Sequence, residues 1–249
     1  MALLWQKKNN DRLYEVRSAG NSIRLYTNGV FHTQYNPQQP LTGHVWDLLM
    51  LPALFYPALT IHRVLVLGVG GGAVMQMLRH FIAPEKMVGV ELDEHHLYVA
   101  RRFFKLRGRD IELVHGDAVD WLKHYQGPAF DMIIEDLFTE QDAEPVRVMK
   151  ANAQWFKSMS SLLTSHGVLV SNFIAKTEIS QSAVFSNQSI ARKFPSIYQF
   201  ASSYNENFVA AFFKMPMNTR IFHKHLSETP GLNPKLKTRR LRFKLRKLK

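Results

Sequence analysis

Val64-Leu65-Val66-Leu67-Gly68-Val69-Gly70-Gly71-Gly72 is the stretch on which the reading of this chain turns. Four apolar residues in an unbroken run describe a strand buried on both faces, as in a parallel sheet. Glycines follow at once, and a glycine backbone can approach a ligand closely. The helix expected over 73–80 then opens with N–H groups suited to an anion. Alone, such a turn serves tight packing as readily as ligand binding.

Working outward, the same alternation repeats downstream. Strands are expected at 87–91, 111–114, 130–134 and 167–171, and helices at 94–106, 118–125, 146–163 and 180–194. Residues 198–201 and 208–213 read as a closing antiparallel pair. This order predicts an α/β fold, a doubly wound and mostly parallel sheet with helices on both faces. Upstream, residues 12–36 read as antiparallel strands, with Asn28-Gly29 a strong hairpin turn. Residues 44–56 are helical in pattern up to Pro57. The expected organisation is an N-terminal β ribbon over 1–40, an α/β transferase domain over 41–228 and a basic C-terminal tail over 229–249.

Of the 32 Lys and Arg in these 249 residues, nine lie between Lys235 and Lys249, where there is no acid. The other 234 residues hold 23 basic and 20 acidic side chains, so the net charge of +12 belongs mostly to the tail. Two readings of the tail follow: a flexible solvated segment, or an electrostatic handle for RNA or an anionic surface. Leu241-Phe243-Leu245 alternates as a strand would, whereas Leu241-Leu245-Leu248 fits a helix. Cysteine is absent, which excludes disulfides and thiolate metal sites. No apolar run reaches membrane-spanning length, and the N-terminal charges follow too short an apolar run for a leader. The expected location is cytoplasmic. The 11 histidines suggest no metal site: His95-His96 are adjacent and diverge, and no His-Glu-x-x-His pair occurs.

Ligands in doubly wound sheets lie beyond the carboxyl ends of the strands. After the first strand stand Gly68, Gly70, Gly71 and Gly72. After the second stands Glu91, able to accept both hydroxyls of a ribose. After the third comes Gly116-Asp117-Ala118, where Asp117 can accept from an adenine amino group or cap a helix. After the fourth come Glu135 and Asp136, which also read as ordinary loop acids. Four such positions in strand order at one sheet edge point to a nucleoside site, nicotinamide-binding enzymes being the competing class.

Val64 to Gly72, Val90-Glu91-Leu92-Asp93, His115-Gly116-Asp117-Ala118 and Phe130-Asp131-Met132-Ile133-Ile134-Glu135-Asp136 together resemble the spermidine synthase family, a branch of the class I S-adenosylmethionine (AdoMet) fold. Leu25-Tyr26-Thr27-Asn28-Gly29-Val30-Phe31 resembles the strand and turn before that family's core. The resemblance implies that Glu91 holds the ribose, Asp117 with Ala118 the adenine, and the turn 68–72 the cofactor tail. It implies Asp136 as the base that takes a proton from an attacking amine, with His44 facing the acceptor; beside them Glu135 reads as assisting Asp136 or pointing away, and Phe138 as walling the substrate pocket or packing.

Three departures from the family pattern shape the functional expectation. Gly71 stands where the family has an aspartate that binds the amine end of decarboxylated AdoMet. Asp136-Leu137-Phe138-Thr139 lacks the second acid that holds a polyamine. Gly43 replaces the tyrosine beside His44. Cationic substrates need negative charge, whereas AdoMet carries a carboxylate that a helix N-terminus favours. The expectation is therefore AdoMet-dependent methyl transfer to an amine or other nucleophile. The alternatives are aminopropyl transfer from decarboxylated AdoMet and a non-catalytic nucleoside-binding relative. Expected partners are the acceptor, RNA or an anionic surface through 235–249, and a second copy of the chain.

Overall fold

The computed structural model describes residues 1–141, 144–204, 206–233 and 241–249. The chain opens with four antiparallel strands in sequential order: β1 (Ala2–Asn9), β2 (Arg12–Ala19), β3 (Ser22–Thr27) and β4 (Val30–Tyr35). Asn28 (φ 50°) and Gly29 (φ 82°) make the two-residue turn between β3 and β4, the left-handed pair that a tight hairpin requires. The first strand is an addition to the sequence reading, which places strands within the ribbon only from residue 12.

Helix α1 (Val45–Met50) and a 3-10 turn (Leu51–Phe55) lead into the main domain. There follow β5 (Arg63–Leu67), α2 (Ala73–Phe81), β6 (Lys86–Glu91), α3 (Glu94–Arg102), β7 (Ile111–His115), α4 (Ala118–His124) and β8 (Phe130–Glu135). A hairpin, β9 (Phe138–Gln141) and β10 (Glu144–Arg147), precedes α5 (Ala153–Ser161) and β11 (Leu163–Phe173). Short helices α6 (Lys176–Gln181), α7 (Ala183–Ser186) and α8 (Gln188–Ala191) lead to β12 (Ser196–Ala201) and β13 (Phe208–Phe213). Helix α9 (Thr219–Glu228) and β14 (Lys244–Lys247) complete the chain.

Eight strands form one sheet in the order β14-β12-β13-β11-β8-β5-β6-β7. The pairs from β11 to β7 are parallel, and β13, β12 and β14 are added antiparallel. This is the expected Rossmann-like, mostly parallel sheet with an N-terminal antiparallel ribbon. The continuous apolar run of β5 has a direct cause. Val64 and Val66 enter the core under α1, α2 and α9, while Leu65 and Leu67 enter the core under α4, α5 and α8. The ribbon packs through Val16 and Leu25 on Val99 and Phe104. Among the described residues no helix is long and apolar enough to cross a membrane.

Three expectations are corrected. The helix read over 146–163 is shorter, because residues 144–147 belong to the hairpin and Asn152 caps α5 by accepting the Trp155 N–H (2.9 Å). The helix read over 180–194 is three short pieces, interrupted by extended backbone at Ser182 and Asn187. The third concerns residues 241–249, for which a flexible solvated tail is one of the two readings. Residues 244–247 are an edge strand on β12, with Leu245 opposite Phe200. Leu241 is 1% exposed, and Phe243 and Leu245 pack on the same core. Apolar side chains alternating with cations bury one set and leave the other in water, which is how an edge strand docks. Lys235, Lys237, Arg239 and Arg240 lie outside the described residues.

This docking predicts that Leu241→Ala lowers stability by about 2–4 kcal/mol in urea unfolding, the cost of a cavity at a buried leucine. An unchanged midpoint would return the segment to the solvated-tail reading.

Candidate active site

The candidate residues converge because parallel strands end together. The Gly68 N–H donates to Val90 O (2.9 Å), the Asp136 N–H to Leu67 O (2.9 Å) and the Gly116 N–H to Glu91 O (3.0 Å). These bonds bring the segments after β5, β6, β7 and β8 to one edge. Contact is closest at Gly68, which has φ +85°: a Cβ there would lie 2.2 Å from Asp136 O, so only glycine lets the turn pass the Asp136 backbone.

Glu91 locks this turn. Its Oε2 accepts the N–H groups of Val69 (2.9 Å) and Gly70 (2.8 Å), and its Oε1 accepts that of Asp93 (3.0 Å). The Gly71 N–H donates to Thr33 Oγ1 (2.8 Å) on the ribbon, and the Gly72 N–H to Val69 O (2.8 Å). Every N–H from Gly68 to Gly72 is therefore engaged within the protein. Gly71 is itself buried, and a Cβ on it would lie 2.9 Å from both the Phe104 ring and Thr33 Cγ2. That position packs the ribbon onto the sheet and has no room for an acid.

Asp117 caps α4 through Oδ1, which accepts from Val119 (2.8 Å) and Asp120 (2.9 Å), while Ala118 is buried. Asp136 is half-buried, and its Oδ1 accepts from Asn172 Nδ2 (2.8 Å). Burial pushes its carboxyl up to about 6; the Asn172 hydrogen bond works against this shift and the Glu91 charge adds to it. Asn172 Oδ1 in turn accepts from Asn207 (3.1 Å).

Glu135, read as assisting Asp136 or pointing away, is 0% exposed and ion-paired with Arg147. The hairpin β9–β10 returns Arg147 opposite Phe138 in register. The guanidinium also donates to Asn172 O (3.0 Å) and Met149 O (2.8 Å) and lies over the Phe173 ring (4.5 Å). Phe138 thus begins the hairpin that neutralises Glu135. His44 sits at the start of α1 with its ring against Phe31 (5.2 Å) and Trp46 (5.5 Å); burial, then the Arg24 charge, lowers its pKa. Asn172, Arg147 and Thr33 were missed from the sequence. Asn172 had a signal, since it follows the strand expected at 167–171, at the carboxyl end where ligands lie.

The spermine/spermidine synthase domain model matches residues 47–222. A polyamine aminopropyltransferase of Aeropyrum pernix is 25% identical over 158 residues, 59% of this chain and 50% of that protein. The chain spans about half the length of the curated relatives it matches. The spermidine synthase structure from Thermotoga maritima superposes with a TM-score of 0.66 at 14% identity, covering 94% of this chain and 79% of that one. Human methyltransferase-like protein 13 in complex with SAH superposes at 0.52 and 19% identity, covering 73% and 86%. At such identities the two structures show the shared fold.

The expectation of AdoMet-dependent methyl transfer is overturned by these relatives, which are polyamine aminopropyltransferases. One physical premise also changes: the glycine at 71 is fixed by packing, and no N–H from Gly68 to Gly72 is free for an AdoMet carboxylate. With residues 47–222 matched, well over half its length, the chain belongs to the spermine/spermidine synthase domain family.

Proposed function

We propose that this chain transfers an aminopropyl group from decarboxylated AdoMet to an amine. One observation carries this reading. Glu91 binds the turn 68–72, Asp136 packs its backbone against Gly68 and Asp117 follows the next strand at the same sheet edge, and among the described residues none of the three pairs with Lys or Arg. Arg147, which also reaches the Asn172 carbonyl, is bound to Glu135. Such a site has a surplus of negative charge and suits a sulfonium with an ammonium tail and a second, amine substrate.

The decarboxylated nucleoside would supply an activated C–S bond. Glu91, already anchored by three N–H groups, keeps lone pairs for ribose hydroxyls, and Asp117 Oδ2 is available for an adenine amino group. The acceptor nitrogen attacks the methylene carbon bonded to sulfur. The C–S bond breaks with its electron pair going to sulfur, and Asp136 takes the proton lost by nitrogen. A carboxylate raised to about 6 is a better base than an ordinary aspartate and is still ionised at pH 7. Asn172 fixes its orientation.

Titration calorimetry with the two nucleosides tests the charge argument. Decarboxylated AdoMet is expected to bind about tenfold tighter than AdoMet or better, since one carboxylate near three acids costs at least that factor. Tighter binding of AdoMet would overturn the reading.

Asp136→Asn is expected to lower kcat by about 10²–10⁴-fold with little change in nucleoside affinity. The wild-type rate should fall as pH drops through about 6, where the base becomes protonated. The same raised pKa means that ionised Asp136 destabilises the fold as pH rises through that value. The asparagine variant should therefore gain stability relative to wild type between pH 4 and pH 8, measured by thermal unfolding.

Restoring the family's acid with Gly71→Asp is expected to destabilise the chain by about 1–3 kcal/mol through overpacking against Thr33 and Phe104. It should not tighten nucleoside binding. A stable variant with tighter binding would place position 71 at the ligand.

A further inference from the structure

The net charge of the chain is confined to its C-terminal part in sequence. Residues 179–249 hold 14 Lys and Arg against two acids, Glu206 and Glu228, whereas residues 1–178 hold 18 of each. The first set is thus +12, which is the whole net charge, and the second is zero. The first set supplies α8, β12, β13, α9 and β14, the strands at the edge farthest from β7.

The outermost strand orders part of this charge. Lys244, Arg246 and Lys247 are exposed, and no ion pair among the described residues involves any of them. Lys244 and Arg246 alternate onto the face that carries α8, where Arg192 is also exposed. Lys247 projects from the other face beside Leu245. Just beyond β12, Tyr204 is 61% exposed and lies 5.3 Å from the Arg242 guanidinium, with Arg242 Nη1 also donating to the Tyr204 hydroxyl. One face of an amphipathic ring is thereby placed at the end of a row of cations.

We propose that this edge, β14 with Arg242 and Tyr204, is a docking surface for single-stranded RNA. The cations would neutralise successive phosphates, and Tyr204 would stack on a base. The alternating pattern favours a nucleic acid over a lipid surface. A membrane-docking element presents apolar side chains outward to the acyl boundary, whereas Leu245 and Leu248 are turned inward onto the two cores. Arginine and an exposed aromatic ring are the chemistry of a base-and-phosphate strand. The proposal does not depend on the proposed reaction.

Fluorescence anisotropy of a labelled uridine oligonucleotide with the full chain tests this, with KCl raised from about 50 to about 200 mM. Wild type should bind at low salt and weaken linearly on logarithmic axes. The triple variant Lys244→Gln, Arg246→Gln, Lys247→Gln should flatten that slope by about 2, at about 0.7 per cation on a single strand. Tyr204→Ala should weaken binding about five- to hundredfold at every salt concentration and leave the slope unchanged. Thermal unfolding checks that each variant is folded; if the triple variant is not, the three single variants, each flattening the slope by about 0.7, decide the matter. A slope that is the same in wild type and the charge variants, or absence of RNA binding at low salt, would overturn the proposal. So would co-sedimentation with phosphatidylserine vesicles by a chain that fails to bind RNA.

Discussion

The Glu91 carboxylate is the interaction on which the candidate site depends. Two N–H groups of the glycine turn and one from the start of the next segment converge on it. A carboxylate accepting several backbone N–H groups is a strong, charge-assisted anchor. Here it joins the ends of β5 and β6, and the turn it fixes then passes within contact of Asp136 after β8. The glycines are needed because the turn is squeezed from both sides, by Asp136 under Gly68 and by Thr33 and Phe104 over Gly71. The turn is a packing device first, and its own N–H groups from Gly68 to Gly72 are already used.

This explains how two readings of the same glycines diverge. From sequence, a glycine where relatives carry an acid reads as a lost charge, and a helix N-terminus reads as a free anion site. In the folded chain the ribbon closes over that position, and Thr33 takes the Gly71 N–H. Partners far apart in sequence, 38 residues in this case, decide whether a donor is free. No local pattern reports that. The charge balance of the site is set in the same non-local way. Glu135 is silenced by Arg147, which a short hairpin brings back to it, and the three remaining carboxylates are left without a cation.

The sheet was legible because its signals are local. A run such as Val64 to Leu67 alternates between two cores within four residues, and the Asn28-Gly29 turn has the chemistry of a tight hairpin. The strand ends were legible for the same reason, and with them Glu91, Asp117 and Asp136. What escaped were residues defined by who faces them: Asn172 orienting Asp136, Thr33 on the turn and Arg147 on Glu135. The hairpin after β8 was hidden in a stretch with helical spacing. The last strand was ambiguous because Leu241, Phe243, Leu245 and Leu248 satisfy both periods, and only the open edge of β12 selects the extended form.

The two charged regions can coexist because the sheet separates them. From β14 to β8 there are four inter-strand steps, roughly 19 Å at about 4.8 Å per step. The Debye length at physiological ionic strength is about 8 Å, so the basic edge barely alters the potential at Asp136. Cationic ligands can be favoured at one end of the sheet while cations crowd the other. Had the 14 basic side chains been spread over the body, several would lie within a screening length of the three carboxylates and neutralise them. Segregation of charge along the strand order is therefore a condition for a negative site in a chain whose net charge is strongly positive.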